Sequence, residues 1–277
     1  MNRFVKVGMD VVLYVIIFAL LQFVVSYAGA AVSMLVSGPV SMDSYQSILK
    51  SMLENGKWIA IFAVLSNAIT VLLFARMRWA EITNHYLKMK PWVVLIWVVL
   101  VALGSILPSE WLNELLGVTL SDERGKTLEA LLKEPWGYAA IGLLAPLAEE
   151  VVFRGAVLAL LLKTMGDERH WIAIAISAVL FAAAHFNMAQ APHAFLCGLL
   201  LGWMYYRTGS MIPGILFHWV NNTVAYVIIN LLPWTEDGEL INLFHGSQQR
   251  MMMGLVFSMM IMLPAIYQLH LRMSRKK

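Results

Sequence analysis

Cysteine is almost missing from this chain: Cys197 is the only one in 277 residues. An intrachain disulfide is therefore excluded, and so is any metal site built on several thiolates. Cys197 itself reads as a small buried apolar residue. Charge is scarce too. Charged residues make up 13% of the chain, about half the share that a soluble domain carries. There is no H-E-x-x-H segment, the helical zinc-protease signature, and no low-complexity tract or short repeat. The net charge is only +3, and the cations lie between apolar runs, where they report membrane topology rather than a nucleic-acid partner.

What is abundant is apolar sequence, at 60% of residues with a mean hydropathy of +0.71. It falls into runs of bilayer-crossing length, so the expected class is all-α, a polytopic transmembrane helical bundle. About eight spans are expected, over roughly 7–36, 58–74, 91–107, 136–165, 171–186, 193–206, 211–232 and 251–271. They form a single membrane domain over 1–277. Ala28-Gly29-Ala30 resembles a small-residue cleavage site, but the apolar run around it is too long for a signal peptide and reads as an uncleaved first span. With the N-terminus inside, 13 of the 20 basic residues fall in inner segments and six in outer ones. The remaining one is Arg154, inside a span. The positive-inside rule thus puts both termini in the cytoplasm. Between the third and fourth spans, Ser121–Lys133 has the composition of a short surface helix, and Gly198 and Gly202 form a G-x-x-x-G pair suited to close helix packing.

The chain is organised around Ala145–Arg154, APLAEEVVFR. Ionisable groups at the centre of a span cost at least about 2.5–3.5 kcal/mol each, so they are rare, paired or wet, and normally functional. Glu150 and Arg154 stand four apart, on one helix face, and can pair. Such a pair can equally be a structural clamp. Glu149 points about 100° away and has no local cation, which makes it the stronger chemical candidate. Pro146, just before the pair, removes a helical N–H and frees a carbonyl.

Two further spans carry polar residues at helical spacing: Phe181 with His185, and His218 with Asn222. At about 1.5 Å per residue, Glu149 lies about 20 Å from the inner end of its span, His185 about 20 Å, His218 about 10 Å and Asn222 about 17 Å. All four can meet in the middle or outer half of the bilayer. His193, beside Pro192, is placed nearer the outer boundary as a rim residue.

In order, then, the chain holds EExxxR at Glu149–Arg154, FxxxH at Phe181–His185 and HxxxN at His218–Asn222. Together they resemble the CAAX protease and bacteriocin-processing (CPBP, or Abi) family of intramembrane proteases, over a core of about 136–232. The resemblance implies an endopeptidase that cleaves a peptide bond near or within the membrane. It implies Glu149 as general base, His185 holding the water, and His218 and Asn222 donating to the oxyanion. Glu150, Arg154 and Phe181 would support them from behind. The family is often called a metalloprotease, and Glu149, His185 and His218 are the oxygen and nitrogen donors that a zinc ion would take. Zn2+ or no cofactor therefore both stand, with a metal-free site favoured.

The implied partners are the lipid bilayer and a peptide or small membrane-protein substrate, in a bacterial inner membrane. Nothing in the sequence specifies a prenyl pocket. Two rival classes use the same buried polar residues: a proton-coupled transporter, and a non-proteolytic immunity or scaffold protein. Against the transporter, no duplicated half with interrupted helices is apparent.

Overall fold

The computed structural model describes residues 2–37, 41–83, 85–117, 130–185, 191–231 and 239–273. It is 88% helix with no strand among them. Part of the expected surface helix, residues 121–129, and the turn at 187–190 lie outside the described residues.

Helix α1 spans Arg3–Ser37, α2 Met42–Glu54, α3 Gly56–Arg76, α4 His85–Lys88 and α5 Trp92–Leu115. A continuous helical segment over 138–165 follows as α6. It alternates π and α register: Tyr138–Leu144 and Val151–Leu158 are π, while Ala145–Glu150 and Ala159–Met165 are α. Then come α7 (His170–Ala184), α8 (Ala191–Thr208), α9 (Ile212–Leu231), α10 (Leu240–Leu243) and α11 (Gln248–Arg272).

Among the described residues, four helices are long and apolar enough to cross a membrane: α1, α3, α5 and α11. They match the first three expected spans and the last. Their most apolar windows are only 17–33% buried, so they present most of their side chains outward. The four expected spans between them correspond to α6, α7, α8 and α9, which hold the polar motifs. All eight residues of Val151–Leu158 in α6 are buried. A helix buried on every side lies at the centre of a bundle. α1, α3, α7, α8 and α9 all pack on α6. α5 and α11 pair outside α9.

Close approaches rest on small residues. Gly198 and Gly202 of α8 face Ala178 and Ile174 of α7, and a Cβ on Gly198 would stand 2.9 Å from the Ala178 Cα. This is the seam the G-x-x-x-G pair suggests. Gly104 in α5 likewise faces the backbone of Met262 in α11.

Two segments differ from the sequence expectation. The polar stretch after α1 forms the helix α2, capped by Ser41, whose hydroxyl accepts from the Ser44 N–H. Its apolar residues Tyr45, Ile48, Leu49 and Met52 close onto Ala30 and Phe62, so burial of one face makes the helix. The third span also runs on past Leu107, through Pro108, to Leu115. Within lipid, leaving the helix would strand several backbone groups, whereas a proline strands one.

Candidate functional site

Pro146 is where local sequence begins to build the site. In the π register that Tyr138–Leu144 adopts an N–H reaches the carbonyl five residues back, as Ala145 does in donating to Ala140. Pro146 is next in line for the Ile141 carbonyl and has no N–H to give. The Asn222 side chain takes that place, its Nδ2 donating to the Ile141 oxygen at 3.0 Å. One of its two amide hydrogens is thereby spent on the backbone and the other is left over. Further along the same seam, Trp219 Nε1 donates to the Tyr138 hydroxyl at 2.9 Å, and that hydroxyl also lies 3.1 Å from Thr223 Oγ1, so three side-chain hydrogen bonds tie α9 to α6.

The adjacent carboxylates separate as their 100° offset requires. Glu150 is fully buried, and its Oε1 accepts from Arg154 at 2.7 Å. Arg154, also fully buried, donates to the Gly198 carbonyl at 3.3 Å and lies 4.4 Å over the Phe181 ring. Phe181 holds three groups at once. Its ring carries the guanidinium, its carbonyl lies 2.8 Å from His185 Nδ1, and its edge contacts both His185 and His218. Because a carbonyl only accepts, this bond puts the proton of a neutral His185 on Nδ1 and leaves Nε2 with a lone pair.

His218 lies between the two glutamates. Its Nε2 is 3.7 Å from Glu149 Oε2 and its Nδ1 is 3.7 Å from Glu150 Oε1, both beyond direct hydrogen-bond reach. Glu149 Oε2, Glu150 Oε2 and His218 Nδ1 are buried without partners. Such atoms are rare in proteins and usually mark water, ligand or chemistry. Glu150 packs against α9. Gly214 stands against its Oε2, where a Cβ would come within 2.5 Å.

Glu149, Phe181, His185, His218 and Asn222 all line one cavity of about 430 Å³. His193 lines it as well, together with Glu110 and Asn113 of α5. The sequence placed His193 only at the rim. It gave no reason to bring in Glu110 and Asn113, although a carboxylate three residues past an apolar run was a signal. The cavity is lined by the last turns of α5 and α7, the first halves of α6 and α8 and the middle of α9.

The donor set is less suited to a metal. Among the described residues, no three His, Cys, Asp or Glu side chains are grouped closely enough to hold an ion. Glu149, His185 and His218 share the cavity without forming a zinc ligand set, so no step is derived through one.

This geometry can be set beside known proteins. Residues 131–224 match the family model described as type II CAAX prenyl endopeptidase Rce1-like. The match supports the CAAX-type intramembrane protease family. It covers about a third of the chain, and that third carries all three motifs. No curated protein and no solved structure matches the chain. Together with the crossing-length helices, the CAAX-protease likeness supports a multi-pass membrane protein of a protease family.

Proposed function

We propose that this chain is an intramembrane endopeptidase in which Glu149 activates the attacking water. The observation that carries this reading is the convergence of Glu149, His185, His218 and Asn222 from α6, α7 and α9 on one cavity. Water held at His185 Nε2 loses a proton to the partnerless Glu149 Oε2 as its oxygen attacks the peptide carbonyl carbon. The oxyanion that forms is met by His218 and by the second Asn222 amide hydrogen. Removing a single such donor typically costs about 100- to 1000-fold in rate. Glu149 then returns the proton to the leaving amine as the C–N bond breaks. Glu150, Arg154 and Phe181 hold the imidazoles in place and touch no substrate. No metal takes part in this scheme.

The same reading places eight crossings in a bacterial inner membrane, with both termini in the cytoplasm. The substrate is a leader peptide or a small membrane protein, as in bacteriocin processing. The test is cleavage by purified protein in detergent. Glu149→Ala should abolish it, and a Glu149→Ala variant cleaving at the wild-type rate would refute the assignment.

A further inference from the structure

The cavity has a second wall that the hydrolytic scheme leaves unused. Glu110 and Asn113 stand one helical turn apart in the last turns of α5, and both line it. Glu110 is exposed at the rim. Asn113 lies half-buried beside it, with its Oδ1 buried and without a partner. In the same cavity, Glu149 Oε2 is a second buried acceptor without a donor. Among the described residues that line the cavity there is no lysine or arginine. Arg154 is behind the wall, occupied by Glu150 and the Gly198 carbonyl.

These acceptors set what can occupy the wall. A carboxylate in a bilayer-crossing helix needs water or a cation, and an unpartnered buried amide oxygen needs an N–H. A substrate carboxylate here would face Glu110 and Glu149 without a counter-charge, and like-charge juxtaposition opposes binding. A lysine or arginine side chain supplies both donors and charge. Its long stem also lets the charged end reach the rim while the peptide backbone lies deeper.

We propose that Glu110, with Asn113, is a specificity-determining subsite for a cationic side chain of the peptide cleaved at Glu149. The subsite rests on the proteolytic reading of that cavity.

The test uses the full-length protein in detergent and internally quenched peptides that differ at one position. Lysine, leucine or glutamate is placed in turn at each position flanking the cleaved bond. At one position kcat/KM should favour lysine over leucine by about tenfold, the effect of about 1.4 kcal/mol, with glutamate poorest. Glu110→Gln should bring the lysine-to-leucine ratio close to one, and Glu110→Lys should turn the preference towards glutamate. Asn113→Leu should lower the same ratio, and serves where a Glu110 variant does not fold.

An unchanged ratio, or an equal loss for all three peptides, overturns the subsite. Binding of the same peptides, blocked at both ends, to Glu149→Gln protein separates the two readings. Tighter binding of the lysine peptide that is lost with Glu110→Gln upholds the subsite, even if the wild type cleaves nothing and the protease reading falls. Equal binding of all three overturns the subsite, even if cleavage is seen.

Discussion

The Asn222 side chain donates to the Ile141 carbonyl, the acceptor that Pro146 leaves without a backbone donor. A proline in α6 and an asparagine in α9 thus form a matched pair, although they stand 76 positions apart in the sequence. The bond fixes the site-bearing turn Ala145–Glu150 against the helix that carries His218. It gives Asn222 a structural duty separate from any duty to substrate.

The two duties can be pulled apart. Asn222→Leu leaves the Ile141 oxygen buried and unpaired, a loss of about 1–3 kcal/mol. Pro146→Ala restores a backbone N–H beside that carbonyl. Thermal unfolding in detergent should show Asn222→Leu losing much less stability in the Pro146→Ala background than alone. Peptidase activity should stay low in both, because the second amide hydrogen is missing from each. Recovery of activity along with stability would leave Asn222 as a structural residue only.

Arg154 is fully buried with Glu150, and its guanidinium also serves Gly198 and the Phe181 face. Breaking a buried pair from one side costs about 3–5 kcal/mol, because the other charge stays behind. Arg154→Met should therefore sharply lower the melting temperature and the yield of folded protein. Arg154→Met combined with Glu150→Leu should recover most of that loss. Arg154→Lys should not, since an ammonium cannot stack on the ring and reach both oxygens together.

Much of this was open to a reader of the sequence, and for a local reason. Contacts within one helix follow from spacing: Glu150 with Arg154, and the Phe181 carbonyl with His185, are both four apart and both meet. Helices α1, α3, α5 and α11, long and apolar enough to cross a membrane, announce themselves by unbroken apolar length. What spacing does not carry is anything between helices. The placing of His218 between Glu149 and Glu150 depends on how α9 is rotated, and no local pattern states that. The π register of α6 has no residue signature beyond Pro146. Pro108 reads as a helix end by its missing N–H, yet α5 continues, and that continuation brings Glu110 and Asn113 to the cavity.

Metal content is a separate question from proteolysis. His185 commits Nδ1 to Phe181, Glu150 beside His218 is held by Arg154, and among the described residues no three such side chains are grouped to hold an ion. The proposed hydrolysis should therefore proceed with less than one equivalent of bound zinc by elemental analysis. Treatment with a chelator, followed by its removal, should leave the rate unchanged. A rate that falls and returns only on adding Zn2+ would require a rearranged ligand set and would replace the metal-free scheme.

His185 offers the most selective probe, because its two ring nitrogens have different tasks. Nδ1 is bonded to the Phe181 carbonyl at 2.8 Å, while Nε2 is the atom left for water. An asparagine amide stands about where Nδ1 stands and a glutamine amide about where Nε2 stands, so the two substitutions divide the ring between them. His185→Asn should keep the donation to Phe181, and with it a near-wild-type melting temperature, while losing about 100-fold in kcat, the effect of misplacing a reacting group. His185→Gln should lose the Phe181 bond and about 1 kcal/mol of stability, yet retain more activity than His185→Asn because a polar group still faces the water. If His185→Asn proves the more active of the two, Nε2 is not the water-holding atom, and His185 would then act through Phe181 alone.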